Sequence, residues 1–192
     1  SVRDETISKN YAETLFELAL REESIEEYGD ALATVARLLD EDAKFLRFME
    51  TPRIDDTDRK AVVQKVFGTA LPRHVLNFVL VTVDKRRQRL LREISEQYNT
   101  LVDERLNREH VSVTLARSVD EATEQVIADR LSDVLGKTAI PHFRVKPDII
   151  GGLVVRTSDT IYDGSIRRRL DGMRRQLLRA DLPSEALGDA AR

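Results

Sequence analysis

The sequence predicts a two-part fold, an N-terminal all-α six-helix bundle followed by a smaller α+β domain. Through about the first hundred residues, apolar side chains recur every three to four positions, which is the period of amphipathic helices. From Asn107 the period changes to two, as in a strand with one buried face. We therefore expect a helical bundle over residues 1–106, an α+β domain over 107–180 and a flexible tail over 181–192.

The first predicted helix carries two adjacent apolar rows at helical spacing. The rows consist of Tyr11, Leu15 and Leu18, and of Ala12, Phe16 and Ala19. Two rows offer more apolar surface than a single core-facing stripe needs. The helix therefore predicts an apolar contact beyond the core of its own bundle.

Cap and stop residues delimit the next three helices. Ser24 begins the second helix, and Glu27 three residues later predicts a capping box. Thr51-Pro52 ends the third helix, because a residue before proline disfavours the helical region, and Gly68 ends the fourth. Their apolar positions are Ile25, Tyr28, Leu32, Val35 and Leu39, then Phe45, Leu46, Phe48 and Met49, then Val62, Val63, Val66 and Phe67.

The fifth and sixth predicted helices follow Pro72. The nearly continuous apolar run over 75–83 favours a helix buried on most of its sides, although its β-branched content leaves a strand possible. Asp84 ends the run, and Lys85-Arg86-Arg87 marks the junction with the sixth helix. The apolar face of that helix consists of Leu91, Ile94, Tyr98 and Leu101.

The second half alternates strands with helices. Ser118 and Glu121 predict a capping box for a helix that ends at Gly136. We interpret Gly151 and Gly152 as a bulge within a strand, which turns at Ser158-Asp159 and returns along a further strand. The other apolar positions of the predicted strands are Val111, Val113 and Leu115, then Ile140, Phe143 and Val145.

A final helix is predicted from Ser165, with an apolar face and a basic flank. Its apolar positions are Ile166, Leu170, Met173 and Leu177, and its arginines are Arg167, Arg168, Arg169, Arg174, Arg175 and Arg179. These arginines are compatible with a solvated face, with nucleic acid or with an acidic protein partner. A pI near 5.7 and few aromatic residues argue against nucleic acid, whereas arginine suits bidentate recognition of carboxylates.

Composition narrows the function classes. Of 192 residues 34% are charged, none is cysteine, and no apolar run approaches the length of about 18 residues that a membrane span needs. The absence of cysteine excludes a disulfide framework, a zinc finger and thiol catalysis, and it fits a cytoplasmic protein. The net charge of −3 is uneven, since residues 1–58 carry 16 acidic and 7 basic side chains and the remainder is basic. This asymmetry suggests two different partner surfaces.

No motif for catalysis or for cofactor binding is present. Gly136-Lys137-Thr138 resembles the end of a phosphate-binding loop, but Leu131 stands where the loop needs its first glycine. His74, His110 and His142 lie far apart in sequence and in different predicted elements, so we expect no metal site from them. No pair among the carboxylates is singled out for acid–base chemistry.

Several sequence patterns together resemble a known family. The N-terminal patterns are Tyr11-Ala12 with residues 15–19, Asn77-Phe78, and Arg86-Arg87 ahead of Leu90-Leu91. The C-terminal patterns are Gly136-Lys137, Pro147, residues 150–152, Val155-Arg156, Asp159, Asp163-Gly164-Ser165 and Arg169-Leu170. From Ile7 to Leu178 the chain resembles the delta subunit of F-type ATP synthase, whose mitochondrial counterpart is the oligomycin-sensitivity-conferring protein. Lys146 and Ser158 depart from the family pattern within turns.

The resemblance implies a non-catalytic, cofactor-free connector in the peripheral stalk, or stator, of an ATP synthase. Such a subunit joins the catalytic headpiece to the stalk, so that proton transport is coupled to ATP synthesis. The helical domain would bind N-terminal helices of the alpha subunits, and the C-terminal domain would bind the b or b′ stalk subunits. The implied contacts are Tyr11, Leu15, Phe16, Phe78 and Leu80 for the headpiece, and Arg167, Arg168, Arg174 and Arg175 for the stalk. Gly151, Gly152, Asp163, Gly164 and Ser165 form a structural signature.

The resemblance also implies where the chain acts. One copy per complex would lie peripherally on the cytoplasmic face of a bacterial inner membrane, without direct insertion and without nucleic acid. Two other classes remain open at this point, a free-standing adaptor or regulatory binding protein of the same shape, and a soluble enzyme or nucleic-acid binder. Co-purification with membrane-bound ATPase activity would separate the connector from the adaptor.

Overall fold

The apolar stripes of the first half fold as helices around a common core in the computed structural model, which describes residues 2–149 and 151–164. The chain divides at Leu106 and Asn107 into a helical unit and an α/β unit. The helical unit contains α1 (Val2–Arg21), α2 (Ile25–Glu41), α3 (Ala43–Glu50), α4 (Asp56–Phe67), α5 (Arg73–Asp84), a 3-10 turn (Gln88–Leu90) and α6 (Leu91–Arg105). A mostly helical fold with a C-terminal α/β part agrees with the coarse prediction from the sequence.

Helix α6 supplies the centre of the helical core. Leu91, Ile94 and Tyr98 are almost completely buried on its inward face. The hydroxyl of Tyr98 donates a hydrogen bond of 2.9 Å to the backbone carbonyl of Ile25 at the start of α2. The whole side chain can be buried because its hydroxyl keeps this hydrogen-bond partner. Among the residues that the structure describes, those that form this core all lie between Ile7 and Leu106.

Helix starts differ from the predicted capping boxes. Ser24 does precede α2, but its hydroxyl donates to the carbonyl of Glu22 at 3.0 Å and makes no cap bond. The predicted capping box of Ser24 and Glu27 is therefore wrong. Helix α3 has a side-chain cap that the sequence analysis missed, since a carboxylate oxygen of Asp42 accepts from two successive backbone amides at 2.8 and 3.0 Å. Thr51 and Gly68 end α3 and α4 as predicted.

The loop after α5 is closed by a residue in the left-handed region. Arg86 has φ 54°, and its amide donates to the carbonyl of Val83 at 2.9 Å. The amide of Arg87 donates to the carbonyl of Thr82 at 2.7 Å, which completes a Schellman-type helix end. A non-glycine residue in this conformation costs about 1–2 kcal/mol. The backbone bonds hold the loop of Lys85, Arg86 and Arg87, which we call the basic loop, in one conformation despite that cost.

Helix α5 leaves one face of its apolar run exposed. Val75, Val79, Thr82 and Val83 lie in the core, but Val81 is 46% exposed. Leu76, Phe78 and Leu80 also pack against the core, so the helix is buried on most of its sides as predicted, and only the face with Asn77 and Val81 is open. A helix of nearly uniform apolar character leaves one face open when no neighbouring element covers it.

Over residues 107–149 and 151–164, the α/β unit shows a four-stranded sheet and one helix. Its elements are β1 (Arg108–Leu115), α7 (Glu121–Leu135), β2 (Thr138–Val145), β3 (Leu153–Arg156) and β4 (Ile161–Asp163). The strand order is β2-β1-β3-β4, so the first strand is central. Strands β1 and β2 are parallel and are connected by α7, whereas β3 is antiparallel to both β1 and β4. The helix covers the apolar face of the sheet, where Val111 and Val113 are fully buried.

The cap of helix α7 lies two residues after the predicted one, at Asp120 and not at Ser118. The carboxylate of Asp120 accepts from the backbone amide of Thr123 at 2.8 Å. Hydrogen bonding by the side chain of Thr123, and then by its backbone amide, lowers the pKa of Asp120 below its usual range. The predicted capping box of Ser118 and Glu121 is therefore wrong. The helix ends as predicted at Gly136, which adopts φ 66°.

The glycine pair lies before a strand and not within one. Gly151 and Gly152 have φ 67° and 78°, and β3 begins after them at Leu153. The predicted bulge within a strand is therefore wrong. Two consecutive positive φ angles are readily adopted only by glycine, so the pair forms the turn that leads into β3.

Two of the three histidines are neighbours. His110 on β1 and His142 on β2 bring Nδ1 and Nε2 within 2.8 Å, and their rings stack with centroids 5.0 Å apart. The two residues are 32 positions apart in sequence and meet because β2 pairs with β1, which spacing along the chain does not show. Across residues 2–149 and 151–164, no group of three or more His, Cys, Asp or Glu side chains is placed to hold a metal ion.

We expect a fragment ending at Leu106 to fold by itself into a cooperative helical unit. Among residues 2–149 and 151–164, the residues of its buried apolar core all precede Leu106, and those of the second core begin at Val111. Circular dichroism should show the helical signal of the intact unit, with a single urea transition. A fragment that is unfolded, or that melts without cooperativity, would show that the helical unit depends on the residues after Leu106.

Candidate binding groove

Helices α1 and α5 run antiparallel along one side of the helical unit. Two contacts fix this order. Near the start of α1, Asp4 forms an ion pair of 2.7 Å with Arg89 in the turn after α5. In the middle, the rings of Tyr11 and Phe78 meet edge to face at 6.0 Å between centroids. The seam between the two helices therefore has an Asp4 end and an opposite end near the C-terminus of α1.

A single stripe of α1 follows this seam. Positions three and four apart lie on one face of a helix. The stripe consists of Asp4, Ile7, Tyr11, Thr14, Leu18 and Arg21, and its counterpart on α5 consists of His74, Phe78 and Val81. Ile7, Tyr11, Leu18 and Phe78 are only partly buried, although each packs against the core. Apolar surface is thus left open along the seam.

The open surface forms a groove of about 410 Å³ toward the C-terminal end of α1. Its lining residues are Thr14, Leu15, Glu17, Leu18 and Arg21 from α1, with His74, Asn77, Phe78 and Val81 from α5. Leu15 is 2% exposed, whereas Val81 is 46% exposed, so the groove has a rigid floor and an open apolar wall. Polar side chains lie around this apolar strip. Such a surface is suited to the apolar face of an amphipathic helix.

The structure distributes the five predicted headpiece contacts over different environments. Leu15 and Phe78 line the groove, and Tyr11 packs against Phe78 at its edge. Phe16 lies against Tyr98 instead, with ring centroids 5.7 Å apart. Leu80 packs against the helical core and is not among the lining residues.

Several groove residues were not predicted from the sequence. Thr14, Glu17 and Arg21 on α1 carry no apolar signal, and His74 and Asn77 on α5 are polar. Spacing could have identified four of them, since Thr14, Arg21, His74 and Asn77 each lie three or four positions from an apolar groove residue, whereas Glu17 does not. Val81 was missed because the whole run around it is apolar, so periodicity does not single out one face.

The predicted stalk contacts lie outside the described residues. These are Arg167, Arg168, Arg174 and Arg175, together with Ser165 of the structural signature. The rest of that signature shapes the β3–β4 hairpin and its entry. The amide of Gly164 donates to the carbonyl of Leu153 at 3.0 Å, and a Cβ atom at Gly164 would lie only 3.3 Å from that oxygen. Asp163 pairs with Val154 across the hairpin.

The turn between β3 and β4 is held by a polar cluster at the predicted position. The hydroxyls of Thr157 and Thr160 donate to one carboxylate oxygen of Asp159 at 3.0 and 3.2 Å. The bond from Thr157, then that from Thr160, lowers the pKa of Asp159 below its usual range, and the charge of Lys137 acts in the same direction. Ser158 donates to a carboxylate oxygen of Glu109 at 3.2 Å, which ties the turn to β1.

Within the described ranges, no helix combines the length and the apolar character needed to cross a bilayer.

Comparison with known proteins gives a consistent result. The family model of the ATP synthase delta (OSCP) subunit matches residues 7–177 of the chain. A protein described as ATP synthase subunit delta from Gemmatimonas aurantiaca is 40% identical over 176 residues, which cover 92% of this chain and 95% of that protein. A protein of the same description from Desulforudis audaxviator is 33% identical over 168 residues, which cover 88% of this chain and 92% of that protein.

A solved structure shows the same fold. A chain in the cryo-EM structure of the Toxoplasma gondii mitochondrial ATP synthase hexamer is similar with a TM-score of 0.62 and 22% sequence identity. The match covers 89% of this chain and 97% of that chain.

Proposed function

The chain belongs to the ATP synthase delta (OSCP) subunit family, and we propose that its α1–α5 groove binds an N-terminal helix of an alpha subunit in the catalytic headpiece. The chain is a non-catalytic peripheral-stalk subunit of an F-type ATP synthase and interacts with other subunits of that complex. A free-standing adaptor is not favoured, because the relatives are ATP synthase subunits.

The observation that carries the groove proposal is exposed apolar surface of defined shape. Leu18 and Phe78 are only partly buried, and Val81 is nearly half exposed, on the facing stripes of two helices. A partner helix would cover this surface with its own apolar face, as in other helix-in-groove complexes. Phe16 and Leu80 are not part of the proposed contact, because neither lines the groove and Phe16 packs against Tyr98 instead.

We further propose a division of labour between the two units. The helical unit holds the headpiece, and the α/β unit, with residues up to 180, holds the ends of the b or b′ stalk subunits. One copy then joins headpiece and stalk on the cytoplasmic face of a bacterial inner membrane. The two different partners account for the charge asymmetry, since the first 58 residues are strongly acidic and the remainder is basic.

The groove proposal is tested with a pair of matched variants. Val81 and Val66 are both exposed valines near the end of a helix, 46% and 42% exposed, but only Val81 lines the groove. Val81→Glu should weaken binding to headpiece stripped of this subunit by at least about tenfold, because the partner helix would bury an unpaired charge. Val66→Glu should bind as the wild type does. Affinities can be measured by surface-based binding or by calorimetry.

Thermal unfolding of both variants controls for stability. Exposed substitutions usually change the free energy of unfolding by no more than about 0.5 kcal/mol, so both variants should melt close to the wild type. Equal headpiece affinity of the Val81→Glu and Val66→Glu variants would refute the groove as the binding site.

A further inference from the structure

The α1–α5 seam continues past the groove into a second concavity at the Asp4 end. This cleft has a volume of about 290 Å³. Five cationic side chains and a single carboxylate line it, namely Arg3, Lys85, Arg86, Arg87 and Arg89 with Asp4. Ile7 and Leu90 complete the lining. We call it the basic cleft.

The basic cleft is opposite in sign to the unit that carries it. Residues 1–106 contain 21 acidic and 17 basic side chains, a net charge of −4. Arg89 is paired with Asp4 at 2.7 Å, and Nε of Arg86 lies 3.5 Å from a carboxylate oxygen of Asp56. Among the described residues, no ion pair involves the other three cations of the cleft. A concavity lined by one sign of charge focuses the field and attracts the opposite sign.

The cleft and the groove belong to one surface. Both are lined by the same stripe of α1, with Ile7 in the cleft and Leu18 in the groove. The Tyr11–Phe78 contact lies between them. At a rise of about 1.5 Å per residue, the stripe from Asp4 to Arg21 is about 26 Å long, which corresponds to a partner helix of about 17 residues. A single segment can therefore lie over both concavities.

We propose that the segment bound in the groove is an amphipathic helix with carboxylates at the end that lies over the basic cleft. This inference rests on the groove proposal above and adds the charge pattern of the partner. Four of the five cations are arginines, whose planar guanidinium groups match carboxylates in bidentate geometry. A membrane surface is the less suitable partner, because the cations line a concavity that is continuous with an apolar groove.

The backbone of the cleft supports this assignment. The loop that carries Lys85, Arg86 and Arg87 is held by the Schellman-type bonds at the end of α5, with Arg86 in the left-handed region. Cations on a loop of fixed backbone lose less conformational entropy when they bind than cations on a flexible segment.

The experiment compares two triple variants of equal charge change. Arg3→Gln/Lys85→Gln/Arg87→Gln removes three cations from the cleft. The control variant Lys44→Gln/Arg53→Gln/Lys65→Gln removes three exposed cations elsewhere on the helical unit. Binding to headpiece stripped of this subunit is measured as association rate and affinity, at ionic strengths of about 20 mM and about 300 mM.

The cleft variant should bind about tenfold more weakly at the lower ionic strength, since each exposed ion pair contributes at most a few-fold. Its dependence on salt should be flatter than that of the wild type. The control variant should keep the affinity and the salt dependence of the wild type to within about twofold. A second headpiece sample has amides in place of the carboxylates of the alpha-subunit N-terminal segment. Its affinity for the wild type should be as low as the affinity of unmodified headpiece for the cleft variant.

Three results would overturn the inference. The first is a cleft variant with unchanged rate, affinity and salt dependence, and the second is a control variant that loses as much as the cleft variant. The third is cation-dependent binding of the wild type to phosphatidylglycerol vesicles that the cleft variant loses while it binds headpiece normally. Val81→Glu separates the two proposals. Normal headpiece binding by that variant refutes the groove proposal itself. Weakened headpiece binding by Val81→Glu, together with normal binding by the cleft variant, refutes only the charge pattern.

Discussion

Replacement of Tyr98 by alanine should lower the free energy of unfolding of the helical unit by about 3–5 kcal/mol, as expected for a large aromatic side chain in a core. The side chain is completely buried, and its ring packs edge to face on Phe16 with centroids 5.7 Å apart. Its hydroxyl also holds the start of α2 through the carbonyl of Ile25. Urea unfolding of the isolated helical unit measures this loss directly.

Tyr98→Phe is the matched control, because it keeps the ring and removes only the hydroxyl. We expect it to cost about 1 kcal/mol, the usual net contribution of one hydrogen bond. Burial, and then the nearby Tyr28, raises the pKa of Tyr98 above its ordinary value near 10. The neutral phenol is therefore favoured in the folded state, and the free energy of unfolding should fall as the pH rises above about 10. Tyr98→Phe should show a shallower fall, and a Tyr98→Ala loss below about 1 kcal/mol would contradict the central place of this ring.

Replacement of Arg59 by alanine should lower the free energy of unfolding by about 1–3 kcal/mol, the usual cost when buried hydrogen-bonding groups lose a partner. The side chain is 3% exposed, and its guanidinium donates to a carboxylate oxygen of Asp56 at 2.7 Å and to the carbonyl of Thr51 at 2.9 Å. The bond to Thr51 joins the end of α3 to α4, and the bond to Asp56 holds the guanidinium within the first turn of α4. Alanine leaves both acceptors without this donor and removes the packed stem of the side chain, so the α3–α4 connection loses its internal support.

Lys60→Ala is the neighbouring control. Lys60 also forms an ion pair, with Asp84 at 2.6 Å, but the two side chains are 34% and 47% exposed. Exposed pairs contribute about 0–1 kcal/mol, so this variant should be close to the wild type in urea unfolding. The free energy of unfolding lost in Arg59→Met should lie between the losses in Arg59→Ala and Lys60→Ala, because methionine fills part of the space of the arginine stem. Equal losses for Arg59→Ala and Lys60→Ala would show that burial does not strengthen the Arg59 contacts.

The helical half could be predicted from the sequence where burial follows one stripe of a helix. In α2, Tyr28, Leu32 and Val35 are all buried at the predicted spacing. The caps could not be placed in the same way, because several acceptors compete near each helix start. Asp42 and Asp120 accept the capping bonds, whereas the hydroxyl of Ser24 bonds to a carbonyl. Local polar side chains have alternatives that a sequence pattern does not rank.

The additional apolar surface of α1 was predicted from the sequence, but the details of the groove were not. The two apolar rows of α1 correctly indicate more apolar surface than one core face requires, and Leu15 forms the groove floor. Which neighbour each side chain meets depends on tertiary packing, so Phe16 meets Tyr98 on α6 while Tyr11 meets Phe78 on α5. The basic loop was noted only as a polar junction, because its proximity to Asp4 is a contact across 85 positions of the chain.

The position of β1 has a mechanical consequence for a subunit that must resist rotation. The chain passes from α6 to β1 through only Leu106 and Asn107, a tether with little slack. Tension along this tether would pull on the central strand, which pairs with β2 from Arg108 to Leu115 and with β3 from Ser112 to Leu115. Because the hydrogen bonds run across the strand, such a load would act in shear on all the hydrogen bonds of both strand pairs at the same time. It could not break the bonds one after another. The α/β unit should therefore yield abruptly and at high force when it is stretched through its N-terminal end.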